Sequence, residues 1–156
     1  MLINSILVPT DFSEDSYYAL AHAIELAKWR SCSLTILNVN PDESMLFRYL
    51  SEKEFEKLRQ EALNDARRQL ETLVERFPAL QEVEHHFHIR RGNPVIEILE
   101  ELEDHPVDLV VIGSHGRTSS QGLKFFYYGA TVEKIVRRAK TSILVTRTPA
   151  RQQREA

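Results

Sequence analysis

The sequence predicts an α/β fold, in which a parallel sheet of five strands is covered by helices on both faces. Three observations carry this expectation. Short runs, mostly rich in Ile, Val and Leu, recur along the chain, as strands buried on both faces should. Between them apolar residues fall at helical spacing, so strands and helices alternate, and right-handed crossovers then lay helices on either side of the sheet. Finally, 156 residues make one domain, long enough to bury about 68–70% of the unfolded chain's surface around a single core.

The first strand is read at Ser5 to Val8, and the helix after it carries the stripe Tyr17, Leu20, Ile24 and Ala27. Leu34 to Val39 is the second strand. The segment Pro41 to Leu50 is the one long irregular connection, and its Met45, Leu46, Phe47 and Tyr49 are apolar enough to form either a lid over the edge of the core or a docking surface. A long helix from about Ser51 to Phe77 follows, with Phe55, Leu58, Ala62, Ala66, Leu70 and Leu73 on one face and a solvated face that includes Arg67, Arg68 and Glu71. His86 to Ile89 is the third strand. Asn93 and Pro94 supply a cap and a first-turn proline for a helix bearing Val95, Ile98, Leu99 and Leu102. Val107 to Ile112, a last apolar stripe of Val132, Ile135, Val136 and Ala139, and the strand Ile143 to Val145 complete the alternation. No repeat or low-complexity tract marks a second module, so residues 1–148 are read as one domain and 149–156 as a polar tail.

Composition narrows the function. With 20 basic against 23 acidic side chains and a net charge of −3, the chain carries no electrostatic footprint for nucleic acid. The longest apolar run, Tyr17 to Ala21, is far short of the roughly 20 residues of a membrane helix, and the start lacks a charged leader segment, so a soluble, cytoplasmic protein is expected. The lone Cys32 has no partner for an intrachain disulfide and reads as a small buried side chain.

In open parallel sheets ligands bind beyond the carboxyl ends of the strands, where strand order reverses. The first strand ends Val8-Pro9-Thr10-Asp11 and enters a helix capped by Ser13 without a glycine, which excludes the G-x-G-x-x-G dinucleotide turn there. Asp11 is suited either to accepting hydrogen bonds from an exocyclic amine or ribose, or to a plain turn beside Ser13. The fourth strand ends Gly113-Ser114-His115-Gly116-Arg117-Thr118, and its connection runs through Gly122 to Gly129-Ala130-Thr131 at the start of the last helix. Four of the five glycines lie in this connection. Such glycines let backbone N–H groups approach an anion, and the helix start offers unpaired donors and the positive end of a dipole, with Arg117 and Lys124 to balance charge; they also make tight turns.

These residues together resemble the universal stress protein family. The resemblance runs from Leu2 to about Arg147 and rests on Ile6 to Ser13, Leu34 to Val39, Asp108 to Thr118, Gly122-Leu123-Lys124, Gly129, Glu133-Lys134 and Ser142 to Val145. It implies an open, Rossmann-like or flavodoxin-like sheet in the order 3-2-1-4-5. It further implies an ATP site, with or without Mg²⁺, in which Pro9, Thr10 and Asp11 match the adenosine end and Val39 the adenine contact. Gly113, Ser114, His115, Gly116, Arg117, Thr118, Gly129, Ala130 and Thr131 match the phosphate end. Two features depart from the family pattern of glycine, two residues, glycine, nine residues, glycine and a hydroxyl residue. Twelve residues, Arg117 to Tyr128, separate Gly116 from Gly129, as though Ser119-Ser120-Gln121 were inserted, and Ala130 stands where the hydroxyl belongs, with Thr131 one position late.

Three readings follow: a nucleotide-gated regulatory protein of the stress response, a dimeric interaction protein whose altered loop leaves the cleft without ATP, and a slow ATPase. Binding is preferred to turnover, because phosphoryl transfer needs Mg²⁺ ligands and an oriented nucleophile that the sequence does not name, and the family assigns His115 no catalytic role. The family order also places the final strand, Thr141 to Arg147, at the sheet edge. There a second copy can pair antiparallel to give a homodimer, shielding the apolar side chains beside Ile143 and Val145. His85-His86-Phe87-His88 suggests a metal, but no third ligand stands at a fixed spacing, so exposed strand histidines and no metal are expected.

Overall fold

The computed structural model describes residues 2–40, 49–115 and 129–148. Strand β1 (Ser5–Thr10) leads into helix α1 (Glu14–Arg30), β2 (Ser33–Asn40) and α2 (Glu52–Arg76). A short 3₁₀ helix at Pro78–Glu82 precedes β3 (His85–Arg91), α3 (Pro94–Asp104), β4 (Leu109–Gly113), α4 (Ala130–Arg138) and β5 (Ser142–Thr146). The five strands are parallel and lie in the order β3-β2-β1-β4-β5, the order the family resemblance implies.

Local chemistry explains the element ends. Ser13 caps α1 by accepting the Ser16 N–H at 3.3 Å, with Glu14 and Asp15 in the positive first turn, and Ser31 closes the helix in a left-handed conformation. Ser51 and Glu54 form a reciprocal capping box on α2. The Asn93 side chain accepts from the Val95 and Ile96 N–H groups, and Pro94 takes the first turn of α3. Val107 and Asp108 stay outside β4: the Asp108 carboxylate instead accepts from the Asn4 and Ser5 N–H groups at 2.8 and 3.2 Å, tying the start of β4 to that of β1. Those bonds, the Asn4 N–H above all, hold the Asp108 carboxyl below its usual range.

The sheet divides two cores. On one face α1 and α2 set Leu20, Ile24, Leu70 and Leu73 against Ile6, Val8, Leu34 and Ile36. On the other, α3 and α4 set Val95, Ile98, Val132 and Ile135 against Leu7, Leu37, Val110 and Ile112. Cys32 belongs to the first core, where burial pushes its thiol pKa up, so it is a packing residue and not a reactive thiolate. Ile143 and Val145 pack inward on the second core, and it is Leu144, 38% exposed, that β5 turns outward. Ile143 and Val145 thus share one face, as expected, and the apolar side chain beside them that a partner could shield is Leu144. Trp29, the one tryptophan of the chain, stands at the far end of α1, 77% exposed, with the Arg30 guanidinium 5.6 Å from its ring centre.

Among the described residues one carboxylate is buried, that of Glu101. Burial alone would raise its pKa, but bonds from His88 and Arg90 outweigh that and hold it below the usual range. Arg90 is correspondingly pushed up, by Asp104 first and Glu101 second.

Candidate functional site

The ends of β1 and β4 lie side by side at the reversal point of the strand order. Their ladder pairs Ile6 with Leu109 and Leu7 with Val110, and each strand runs three residues further, to Thr10 and Gly113. On its other side β1 stays paired with β2 through Pro9–Leu37 and Thr10–Asn38. Pro9 has no N–H to offer, and it stands where a further rung toward β4 would be. The ends of β1 and β4 therefore lie on the same side of the sheet, as the convergence of Asp11 and Gly113 on one ligand would require.

From Thr10 onward the chain is fixed by its own side chains. Thr10 Oγ1 accepts the Phe12 N–H at 3.1 Å and lies 3.0 Å from Ser16 Oγ, while Phe12 takes a left-handed turn at φ 61°. Asp11 Oδ1 accepts from both the N–H and the hydroxyl of Ser13, at 3.1 and 2.6 Å. Asp11 thus buttresses the cap residue of α1, which makes the turn role real without excluding a ligand role. Asn38 donates from Nδ2 to the Thr10 carbonyl at 2.9 Å, and its Oδ1 is a buried acceptor with no donor among the described residues. One residue on, Val39 packs against the second core. Sequence reasoning missed Asn38; an amide side chain between the apolar Leu37 and Val39 of a buried strand was the available signal.

At β4 the structure changes the meaning of two predicted residues. A Cβ on Gly113 would sit 2.6 Å from the Asp15 carbonyl oxygen and 2.7 Å from its carbon, so glycine is needed here for α1 to pack on the strand. Ser114, 1% exposed, spends its N–H on the Thr146 carbonyl at 2.9 Å, and the Gly129 N–H is spent on the Ser114 carbonyl at 2.8 Å. Neither donor is left for an anion. The first turn of α4 is different, because its cap residue Gly129 has no side chain to bond the N–H groups of Ala130, Thr131 and Val132. Gly116, Arg117 and Thr118 lie outside the described residues, as do Ser119 to Gln121, Gly122 and Lys124.

His115 sits beside this edge with Nδ1 2.8 Å from Ser114 Oγ and 3.5 Å from Asp15 Oδ2. Asp15 also accepts from Thr148 Oγ1. Serine, histidine and aspartate are thus neighbours, but both contacts use the same ring nitrogen and the serine is buried. The ring has no route to pass a proton from Ser114 to Asp15, so the trio is not a nucleophilic triad.

Residues 3–147 match the model of the universal stress protein family. The chain belongs to that family. Among its relatives is universal stress protein MJ0531 of Methanocaldococcus jannaschii, 28% identical over 97% of this chain and 86% of the relative. MJ0577 of the same organism is 27% identical over 94% of this chain and 96% of its own. The solved structure of MJ0577 superposes with a TM-score of 0.81 at 25% identity, covering 96% of this chain and 99% of that one. UspA from Lactobacillus plantarum shares the fold at a TM-score of 0.78 and 24% identity, over 94% and 99% of the two chains. No helix among the described residues of this family member is long and apolar enough to cross a membrane.

Proposed function

We propose that this universal stress protein binds an adenine nucleotide, ATP first among them, in the cleft beyond β1 and β4, and acts as a nucleotide-gated homodimer that regulates a stress response. The observation that carries the reading is the uncapped first turn of α4 next to the end of β4: among the described residues no cap side chain bonds the N–H groups of Ala130, Thr131 and Val132 at the positive end of the helix. The buried, undonated Oδ1 of Asn38 is a second fit, since an acceptor at the end of β2 suits an amine or hydroxyl of a nucleoside. Proteins sharing this fold include a universal stress protein solved in complex with cAMP and one from Archaeoglobus fulgidus in complex with dAMP.

Pro9, Thr10, Asp11 and Val39 would hold the nucleoside, and Ala130 and Thr131, with Gly116, Arg117 and Thr118, the phosphates. A bound triphosphate would add its negative charge at the positive end of α4, beyond that of Glu133 in the first turn. Gly113 and Ser114 serve this site by shaping it, because their own geometry is committed to α1 and β5.

The second reading, a dimer that works without nucleotide, is favoured by the twelve-residue spacing from Gly116 to Gly129, by Ala130, and by the spent donors of Ser114 and Gly129. Calorimetric titration of the full chain with ATP, ADP and adenosine separates the two. A dissociation constant below the millimolar range, tighter for ATP than for adenosine, is expected; silence of all three ligands at millimolar concentration establishes the second reading.

A further inference from the structure

We propose that His88, Glu101 and His105 form a binding site for one divalent transition-metal ion, with zinc the ion its donors suit best. The site is separate from the nucleotide cleft and independent of that reading.

Glu101 and His105 lie one turn apart, the first on α3 and the second its C-cap, while His88 comes from the edge strand β3. His88 Nδ1 is 2.6 Å from Glu101 Oε1, and His105 Nδ1 is 3.2 Å from the same oxygen. The three donor atoms all lie within 4.8 Å of one another. Bonds of about 2.0–2.2 Å in a tetrahedral site require donors about 3.3–3.6 Å apart, so the trio needs adjustments of roughly 1 Å to accept an ion. The side chains of His88 and His105 are 35% and 61% exposed and have room to turn, whereas that of Glu101 is 2% exposed and fixed. Two imidazoles and a carboxylate are the donor set of zinc sites that keep an open position, and nitrogen donors select against Mg²⁺, which prefers oxygen.

Two further features separate this group from a chance cluster. The other carboxylate oxygen, Oε2, is held by Arg90 Nε at 2.5 Å, so Glu101 already has its counter-charge and its orientation before either histidine arrives. That is the outer contact which fixes a ligand for its metal. Arg90 in turn faces four carboxylates, those of Glu97, Glu100, Glu101 and Asp104, leaving the neighbourhood short of positive charge. The C-terminal end of α3 adds the negative pole of its dipole at His105. A dication answers both the excess of carboxylates and the negative pole. The absence of a third ligand, which the sequence suggested for the histidine run of β3, is corrected by α3: the partners of His88 are thirteen and seventeen residues away, and exposed His86 instead lies 3.7 Å from Glu84.

The test uses the full chain without a polyhistidine tag, stripped by chelator and titrated separately with Zn²⁺, Co²⁺ and Mg²⁺. One equivalent of zinc per chain is expected, with a dissociation constant of about 10 μM or tighter, together with a visible d–d spectrum for cobalt and no binding of Mg²⁺ at the same concentrations. Free zinc about 100-fold above that constant should raise the melting temperature by about 5–10 °C. His88→Gln and His105→Gln keep a donor for Glu101 but discard the imidazole, so each should weaken zinc binding about tenfold or more with the metal-free melting temperature little changed. His86→Gln should bind as the unmodified protein does. Zinc binding weaker than about 100 μM, or binding that survives both substitutions unchanged, overturns the proposal and leaves the trio as a hydrogen-bonded tie between β3 and α3.

Discussion

Replacing Gly113 by alanine should destabilise the fold whether or not a nucleotide is present. The added methyl carbon would lie 2.6 Å from the Asp15 carbonyl oxygen, 2.7 Å from the carbonyl carbon and 3.1 Å from the Ser16 nitrogen. All three are backbone atoms, so no side chain can swing aside. To restore ordinary contact at 3.4 Å, the first turn of α1 must retreat by roughly 0.8 Å from β4. The same turn carries Ser16, whose Oγ lies against Thr10, and Asp15, which holds Thr148. Overpacking of this kind costs about 1–3 kcal/mol. In a chain of this size each kcal/mol moves the melting temperature by about 2–4 °C, so the fall should be about 2–12 °C. Far-ultraviolet circular dichroism melts, run with and without saturating ATP, measure it. A Gly113→Ala protein that melts within 1 °C or so of the parent would refute the packing account and return Gly113 to the phosphate loop.

Other consequences are equally direct. Ile135, 0% exposed, anchors α4 in the second core, and Ile135→Ala should cost about 2–5 kcal/mol in urea unfolding; a smaller loss would mean that α4 is not seated as described. Asp108 has a folded pKa below its unfolded value, so its contribution is fully present above about pH 4 and lost as pH falls through the folded pKa. The gap in melting temperature between the parent and Asp108→Asn should hence stay constant from about pH 5 to 8 and close in stronger acid; a gap that widens in acid contradicts it. If β5 pairs with its counterpart in a homodimer, Leu144→Asp at the sheet edge should shift the mass by light scattering from dimer to monomer, and a parent already monomeric at tens of micromolar, roughly where a standard interface is populated, removes that arrangement.

The parts legible in the sequence were those that local chemistry decides. Asn93-Pro94 announced the start of α3, Ser13 capped α1, and the apolar stripes of α2 and α4 supplied Leu70, Leu73, Val132 and Ile135 to the two cores, whereas Leu58 and Val136 of the same stripes are 38% and 50% exposed. Strand order came from the family resemblance, because periodicity says that strands are parallel but not which are neighbours. What stayed hidden depends on contacts through space. A run of glycines cannot disclose that Gly113 answers to the backbone of α1, since nothing in residues 113 to 129 mentions Asp15. Alternation along β5 cannot say whether Ile143 or Leu144 faces out without knowing where α3 and α4 lie. Likewise His88 finds Glu101 only once a helix is folded back on its strand.

The position of Trp29 decides how this protein can be watched. An indole that is already in water when the chain is folded emits at long wavelength before and after unfolding, and its neighbour Arg30 travels with it along the chain. Intrinsic fluorescence will therefore be a poor witness to loss of either core, reporting a small change for a large event. The same exposure makes Trp29 a quiet beacon, free of the core and of the cleft, whose quenching by iodide or whose blue shift would announce a macromolecule settling on the far end of α1.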